Sequence, residues 1–115
     1  MSPTDDSRPA SPLAPDLRRG ALVLVTLAQL REARYGYALR ERLAEAGLVV
    51  PEGTLYPLLR RLEKQGLLTS EWRVEGNRPR RYYRTSKAGK RELTALNEAW
   101  EELLSAVDRL RDHRD

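Results

Sequence analysis

Between Arg73 and Arg91 the chain sets Arg73, Arg78, Arg80, Arg81, Arg84, Lys87, Lys90 and Arg91 against one acid, Glu75, with Tyr82 and Tyr83 interleaved. Guanidinium groups present their donors in a planar fork that suits phosphate oxygens, so such a run reads as a surface for a polyanion. A second group precedes it. At 100° per residue, Leu55, Leu58, Leu59 and Leu62 fall on one side of a helix, and Gly53, Pro57, Arg60 and Lys64 fall on the other, flanked by Tyr56 and Arg61. Arginine can pair two donors with the major-groove edge of guanine, tyrosine can meet a phosphate or a thymine methyl, and glycine permits close approach. Plainer readings exist for both: a solvated basic face, and an edge hairpin whose charges block aggregation. Edge protection, however, does not call for eight charges of one sign.

Other chemistries lack their residues. There is no cysteine, hence no disulfide and no thiolate metal site, and the single histidine, His113, reads as a solvated residue near the C-terminus. No glycine-rich phosphate loop and no HExxH-like spacing occurs. The sequence therefore reads as a non-enzyme with no cofactor and no metal. With 115 residues, 40% apolar, 33% charged and a net charge of +4, it fits one soluble globular domain. The longest apolar stretch, Ala21 to Ala28, is too short to span a bilayer, and the polar, proline-broken start does not resemble a signal peptide. No membrane partner is expected, and the cytoplasm, on the nucleoid when DNA is bound, is the expected location.

The elements that would position these groups follow in order. Residues 1–15 carry Pro3, Pro9, Pro12 and Pro15 among small polar residues and read as a mobile tail. Asp16 is a plausible N-cap for a helix over about Leu17–Arg31, although its β-branched centre could pass for a buried strand. Tyr35-Gly36-Tyr37 opens a second helix, which Gly47 stops. A third follows Pro51 and ends at Gly66. Pro57 leaves two possibilities: that helix starts near Thr54 as N-cap, or it is kinked. Strands over Leu67–Val74 and Arg80–Thr85 flank a turn at Glu75–Pro79. They place Arg80, Tyr82 and Arg84 on one face, and Arg81 and Tyr83 on the other. Trp72 and one tyrosine are expected to pack inside. Ser86 would cap a last helix reaching about Arg111.

That last helix carries Leu93, Leu96, Trp100, Leu103, Val107 and Leu110 at alternating spacings of three and four. Such a seam belongs to helices that pair, and at under three heptads it is too short to pair alone. Together with Leu22, Leu24 and Leu27 of the first helix it is the expected homodimer interface, the alternative being a seam within one subunit. The fold expected is mainly α with a small β-hairpin. A winged helix-turn-helix occupies residues 16–86, and a C-terminal dimerisation helix occupies 87–115.

Four stretches, LRRGALVLVTLAQL at 17–30, YGYALRERL at 35–43, EGTLYPLLRRLEKQGLL at 52–68 and GNRPRRYYRTSKAGKREL at 76–93, resemble the PadR family of bacterial regulators in its short form with one C-terminal helix. The resemblance implies a homodimeric repressor on a palindromic double-stranded DNA operator, often released by a small molecule. It implies DNA contacts on Thr54, Tyr56, Arg60 and their neighbours, with the wing arginines on phosphate. The full expected DNA-binding set is Tyr37, Gly53, Thr54, Tyr56, Pro57, Arg60, Arg61, Lys64, Arg78, Arg80, Arg81 and Arg84. It further implies a planar effector stacked on Trp100, with Val23, Leu96 and Leu104 beside it. The spacing alone equally allows Trp100 only to fill an interface.

Overall fold

The computed structural model describes residues 12–111; most of the expected N-terminal tail, and His113, lie outside the described residues. Helix α1 spans Ala14–Gln29. It starts two residues before the expected Asp16 cap because Pro15 sits in its first turn, where a missing N–H costs nothing. Asp16 instead lies inside that turn, beside the positive end of the helix dipole, and pairs with Arg19 at 2.7 Å. The β-branched stretch is helical, burying Thr26 and Leu27.

A two-residue strand, β1 (Arg34–Tyr35), follows, and sequence reading missed it. It shifts the start of α2 (Gly36–Glu45) to Gly36, with Tyr35 as an extended N-cap. Helix α3 spans Glu52–Lys64. Both helices stop in the same way. Gly47 at φ +95 and Gly66 at φ +81 adopt the left-handed conformation. The N–H of the next residue then bonds back to the helix, Leu48 to Leu43 at 2.8 Å and Leu67 to Leu62 at 2.9 Å.

Strands β2 (Leu68–Glu75) and β3 (Arg78–Thr85) pair antiparallel over all eight positions, and β1 adds to the far edge of β3, giving the order β1-β3-β2. The turn is tighter than expected, only Gly76-Asn77. Glycine at φ +64 in the first central position, with no positive φ at Asn77, is the II′ pattern whose twist suits a hairpin. Pro79 therefore lies inside β3, opposite Val74.

Ser86 caps α4 (Lys87–Arg111), accepting from the Gly89 N–H at 3.0 Å and donating to the Gly66 carbonyl at 2.6 Å. The core gathers Leu27 and Leu30 with Leu39 and Leu43 of α2, the four expected leucines of α3, and Leu68, Tyr83 and Leu93. The architecture is the expected mainly helical winged helix-turn-helix with a C-terminal helix. Leu27 and Leu93, expected at a dimer interface, are 0% and 5% exposed. Each is consumed by the core of the chain itself and has no surface left for a partner.

Gly89 marks where α4 touches the wing root. A Cβ there would collide with the Leu67 carbonyl and stand 2.7 Å from the Thr85 methyl group. Because the obstacle is backbone, Gly89→Ala is expected to destabilise the fold by about 1–3 kcal/mol in urea unfolding, despite the better helix propensity of alanine.

Candidate nucleic-acid interface

The helix-turn-helix is fixed by a side chain from its first member. Arg40 of α2 donates to the Val50 carbonyl at 3.0 Å and to Glu52 at 3.3 Å, clamping the start of α3. That start is capped by Pro51 in an extended conformation, not by Thr54, so Pro57 lies in the sixth position of an unbroken helix. It leaves the Gly53 carbonyl without its helical donor on a side that faces water. Leu55, Leu58, Leu59 and Leu62 are buried, whereas Gly53, Thr54, Pro57, Arg60, Arg61 and Lys64 are exposed. Tyr56 is half-buried because its ring lies over Gly36, where a Cβ would come within 2.9 Å of Cζ. It is therefore as much the packing between α2 and α3 as a surface group. Tyr37, 54% exposed, projects from the start of α2. A hydrogen bond to Glu41 and that carboxylate's charge raise its pKa.

The wing has two different faces. On the side toward α3, Leu68, Tyr83 and Thr85 are buried at the root. Next along the ribbon comes a polar latch. Arg81 pairs with Glu63 of α3 at 3.0 Å and donates to Ser70 at 3.0 Å, while Ser70 donates to Glu63 at 2.7 Å. Beyond the latch, Trp72 is 64% exposed, so the expected indole packing does not occur; Tyr83 is the aromatic that packs inside. The opposite face is a layer of stacked cations and rings. Arg73 lies 4.2 Å from the centroid of Tyr82, Arg80 lies 4.5 Å from that of Tyr35, and the two tyrosine rings meet edge to face at 5.4 Å. Arg80 also pairs with Glu75 at 3.1 Å, and the Tyr82 hydroxyl donates to Glu75 at 2.7 Å.

The wing arginines, alike in sequence, thus differ in role. Arg80 and Arg81 are held by carboxylates, whereas Arg78 and Arg84 are exposed with no ion pair among the described residues. Between α3 and the wing lies an open cleft of about 550 Å³ lined by Arg60, Arg61, Lys64, Arg81 and Glu63. Its one acid is already neutralised by Arg81, and the other three cations that line it have no ion pair among the described residues. Sequence reasoning missed the latch, the clamp from Arg40 and the Tyr35 edge, because each depends on which residues face one another across elements. Among the described residues no group of side chains could hold a metal ion, and no helix is long and apolar enough to cross a membrane.

The known proteins that this chain resembles are described as transcriptional regulators. A family model described as the transcriptional regulator PadR-like family matches residues 23–95. A transcriptional regulator of Mycobacterium tuberculosis is 48% identical over 73 residues, covering 64% of this chain and 68% of the relative. The crystal structure of a PadR family transcriptional regulator from Eggerthella lenta is 48% identical, covers 89% of this chain and 91% of its own, and superposes with a TM-score of 0.82. A PadR-like transcriptional regulator from Bacillus cereus is 26% identical, with 90% and 100% covered and a TM-score of 0.72.

The Glu75–Tyr82 bond yields a prediction. The Tyr82 hydroxyl, and then Arg80, hold the Glu75 carboxyl below its ordinary value, while Glu75 holds the Tyr82 phenol above its own. The carboxylate favours the bond as pH falls through the usual glutamate range, until its lowered pKa is passed. The neutral phenol favours it as pH rises through the usual tyrosine range, until its raised pKa is passed. Ultraviolet titration is expected to show late ionisation of Tyr37, Tyr82 and Tyr83, of which only that of Tyr82 moves back toward the ordinary value in Glu75→Gln.

Proposed function

Because the chain belongs to the PadR-like family of transcriptional regulators, we propose that it works as a homodimeric repressor. In this reading it holds a palindromic double-stranded DNA operator through α3 and the wing, and leaves it when a planar small molecule binds. The observation that carries the DNA contact is the cleft between α3 and the wing, where Arg60, Arg61 and Lys64, with no ion pair among the described residues, stand beside a neutralised acid. A DNA backbone running through that cleft meets cations on one wall, with the exposed strip Gly53, Thr54 and Pro57 at the start of α3 offered to base edges. Arg78, free at the wing tip, serves as a phosphate contact, whereas Arg84, also free, lies at the root of the opposite face, away from the cleft. Arg81 holds the wing against α3, and Arg80 stiffens the ribbon.

The dimer reading is supported by the outer part of α4. Trp100, Leu103, Leu104, Val107 and Leu110 are 36–76% exposed, and Leu13 and Leu17 at the start of α1 are exposed as well. Lone exposed leucines are ordinary, but a seam of them on one helix marks an interaction surface. A two-fold axis would set two recognition helices about 34 Å apart, one turn of duplex. Leu22 and Leu24, half-buried against the core, would lie at its edge. The effector reading rests on Trp100 and Leu104 being open, while Val23 and Leu96 are partly buried against the core. A planar ligand stacking on the indole releases DNA only if it binds the DNA-incompetent arrangement more tightly.

Two measurements test this reading. In a salt series on operator DNA, Arg78→Ala is expected to lower the slope of log affinity against log salt by about 1 without changing base preference. An altered preference with an intact slope would remove Arg78 from the phosphate contacts. In sedimentation, the wild type is expected to be a dimer and Leu103→Glu a folded monomer with DNA affinity reduced by at least an order of magnitude. A dimeric Leu103→Glu would place the interface elsewhere.

A further inference from the structure

The wing ends in an apolar surface that its own subunit leaves uncovered. On the α3-facing side of the ribbon, beyond the latch, lie Trp72, Val74 and Pro79, in the register Trp72 opposite Arg81 and Val74 opposite Pro79. Trp72 is 64% exposed, Val74 72%, and Pro79 is exposed too. The indole is not loose. The Arg81 guanidinium lies 5.8 Å from the Trp72 ring and 5.5 Å from the Tyr83 ring, and the same guanidinium is bonded to Glu63 of α3. The ring is thus oriented relative to α3 on a fully paired ribbon closed by a two-residue turn.

Beside this patch the free charges are cationic: Arg60, Arg61 and Lys64 share a cleft with the Arg81–Glu63 pair, whose guanidinium lies against the Trp72 ring, and Arg78 lies at the turn. A protein partner covering the indole would have to desolvate those charges or supply matching acids. A DNA groove satisfies both sets at once, because phosphates meet the cations while sugars and base edges meet the apolar side chains. We propose that Trp72, backed by Val74 and Pro79, is an uncharged DNA contact that lies along the sugar edges of the minor groove next to the segment read by α3. This inference rests on the DNA-binding reading above and extends it. The wing then binds by apolar contact as well as by charge, and it senses minor-groove width, which varies with sequence.

The test uses the full chain and a duplex that the wild type selects from random-sequence DNA. The side chain is exposed, so Trp72→Ala is expected to fold and dimerise as the wild type does. Its affinity should fall by about tenfold or more at every salt concentration with the slope unchanged, and Trp72→Phe should recover most of the loss. Hydroxyl-radical cleavage, which attacks sugars along the minor groove, is expected to show sugars protected by the wild type and reopened in Trp72→Ala. Wild-type affinity with the same protected sugars in Trp72→Ala overturns the proposal while leaving DNA binding intact. So does a reduced salt slope, which would mean that the indole acts only by placing the neighbouring phosphate-binding cations. Failure of the wild type to select any duplex overturns the DNA-binding reading itself, and this inference with it.

Discussion

A two-stranded ribbon cannot hold its own orientation in water, so everything the wing does depends on where its root is fastened. The fastening is a pair of hydrogen bonds from one buried residue. The Thr85 N–H bonds to the Leu30 carbonyl at 2.7 Å, and its hydroxyl bonds to the Leu27 carbonyl at 2.7 Å. The acceptors are in the last turn of α1 and at the C-cap residue that follows it, where carbonyls would otherwise lack donors. Tyr83 and Leu68 beside it are buried in the leucine core, and β1 closes the other edge. The wing is thereby referred to α1, and through Arg81 and Glu63 to α3.

This arrangement explains why the basic residues divide as they do. A binding surface needs charges that are free, whereas an aimed ribbon needs charges that are engaged. Arg40 and Arg81 are spent on geometry, one setting the entry of α3 and the other its distance from the wing. Arg73 and Arg80 lie over tyrosine rings and pair with acids, which stiffens the outer face. Exposed pairs of this kind add little stability. What they add is preorganisation, since fewer rotamers remain to be frozen when a partner arrives.

Much of the fold could be read in the residues, because its main signals are local. The spacing of Leu55, Leu58, Leu59 and Leu62 defines one helix face, Gly47 and Gly66 mark two stops, and Ser86 caps α4 as its type and position suggest. What escaped was set by contacts across the chain. β1 is two residues long and shows no period; it exists because β3 offers an edge to Arg34 and Tyr35. Charge patterning grouped Arg80, Arg81 and Arg84 as phosphate contacts, yet it could not tell that Glu63 would face Arg81 from another element. Trp72 was expected inside because indoles usually are. A ribbon this narrow covers one face near its root only, and Trp72 lies past that point.

The bond from Thr85 to Leu27 joins residues 58 positions apart, whereas the helix stops and the hairpin turn are each settled within a few residues. Contacts of the first kind carry a loop-closure entropy that the second kind avoid. The helix-turn-helix and the hairpin can therefore assemble early and separately, and docking of the ribbon onto α1 completes the subunit. Interactions formed after the rate-limiting barrier govern how fast a native state comes apart rather than how fast it forms. An anchor that closes last in this way would act as a kinetic clasp, bearing on the lifetime of the assembled wing more than on how quickly the chain finds it.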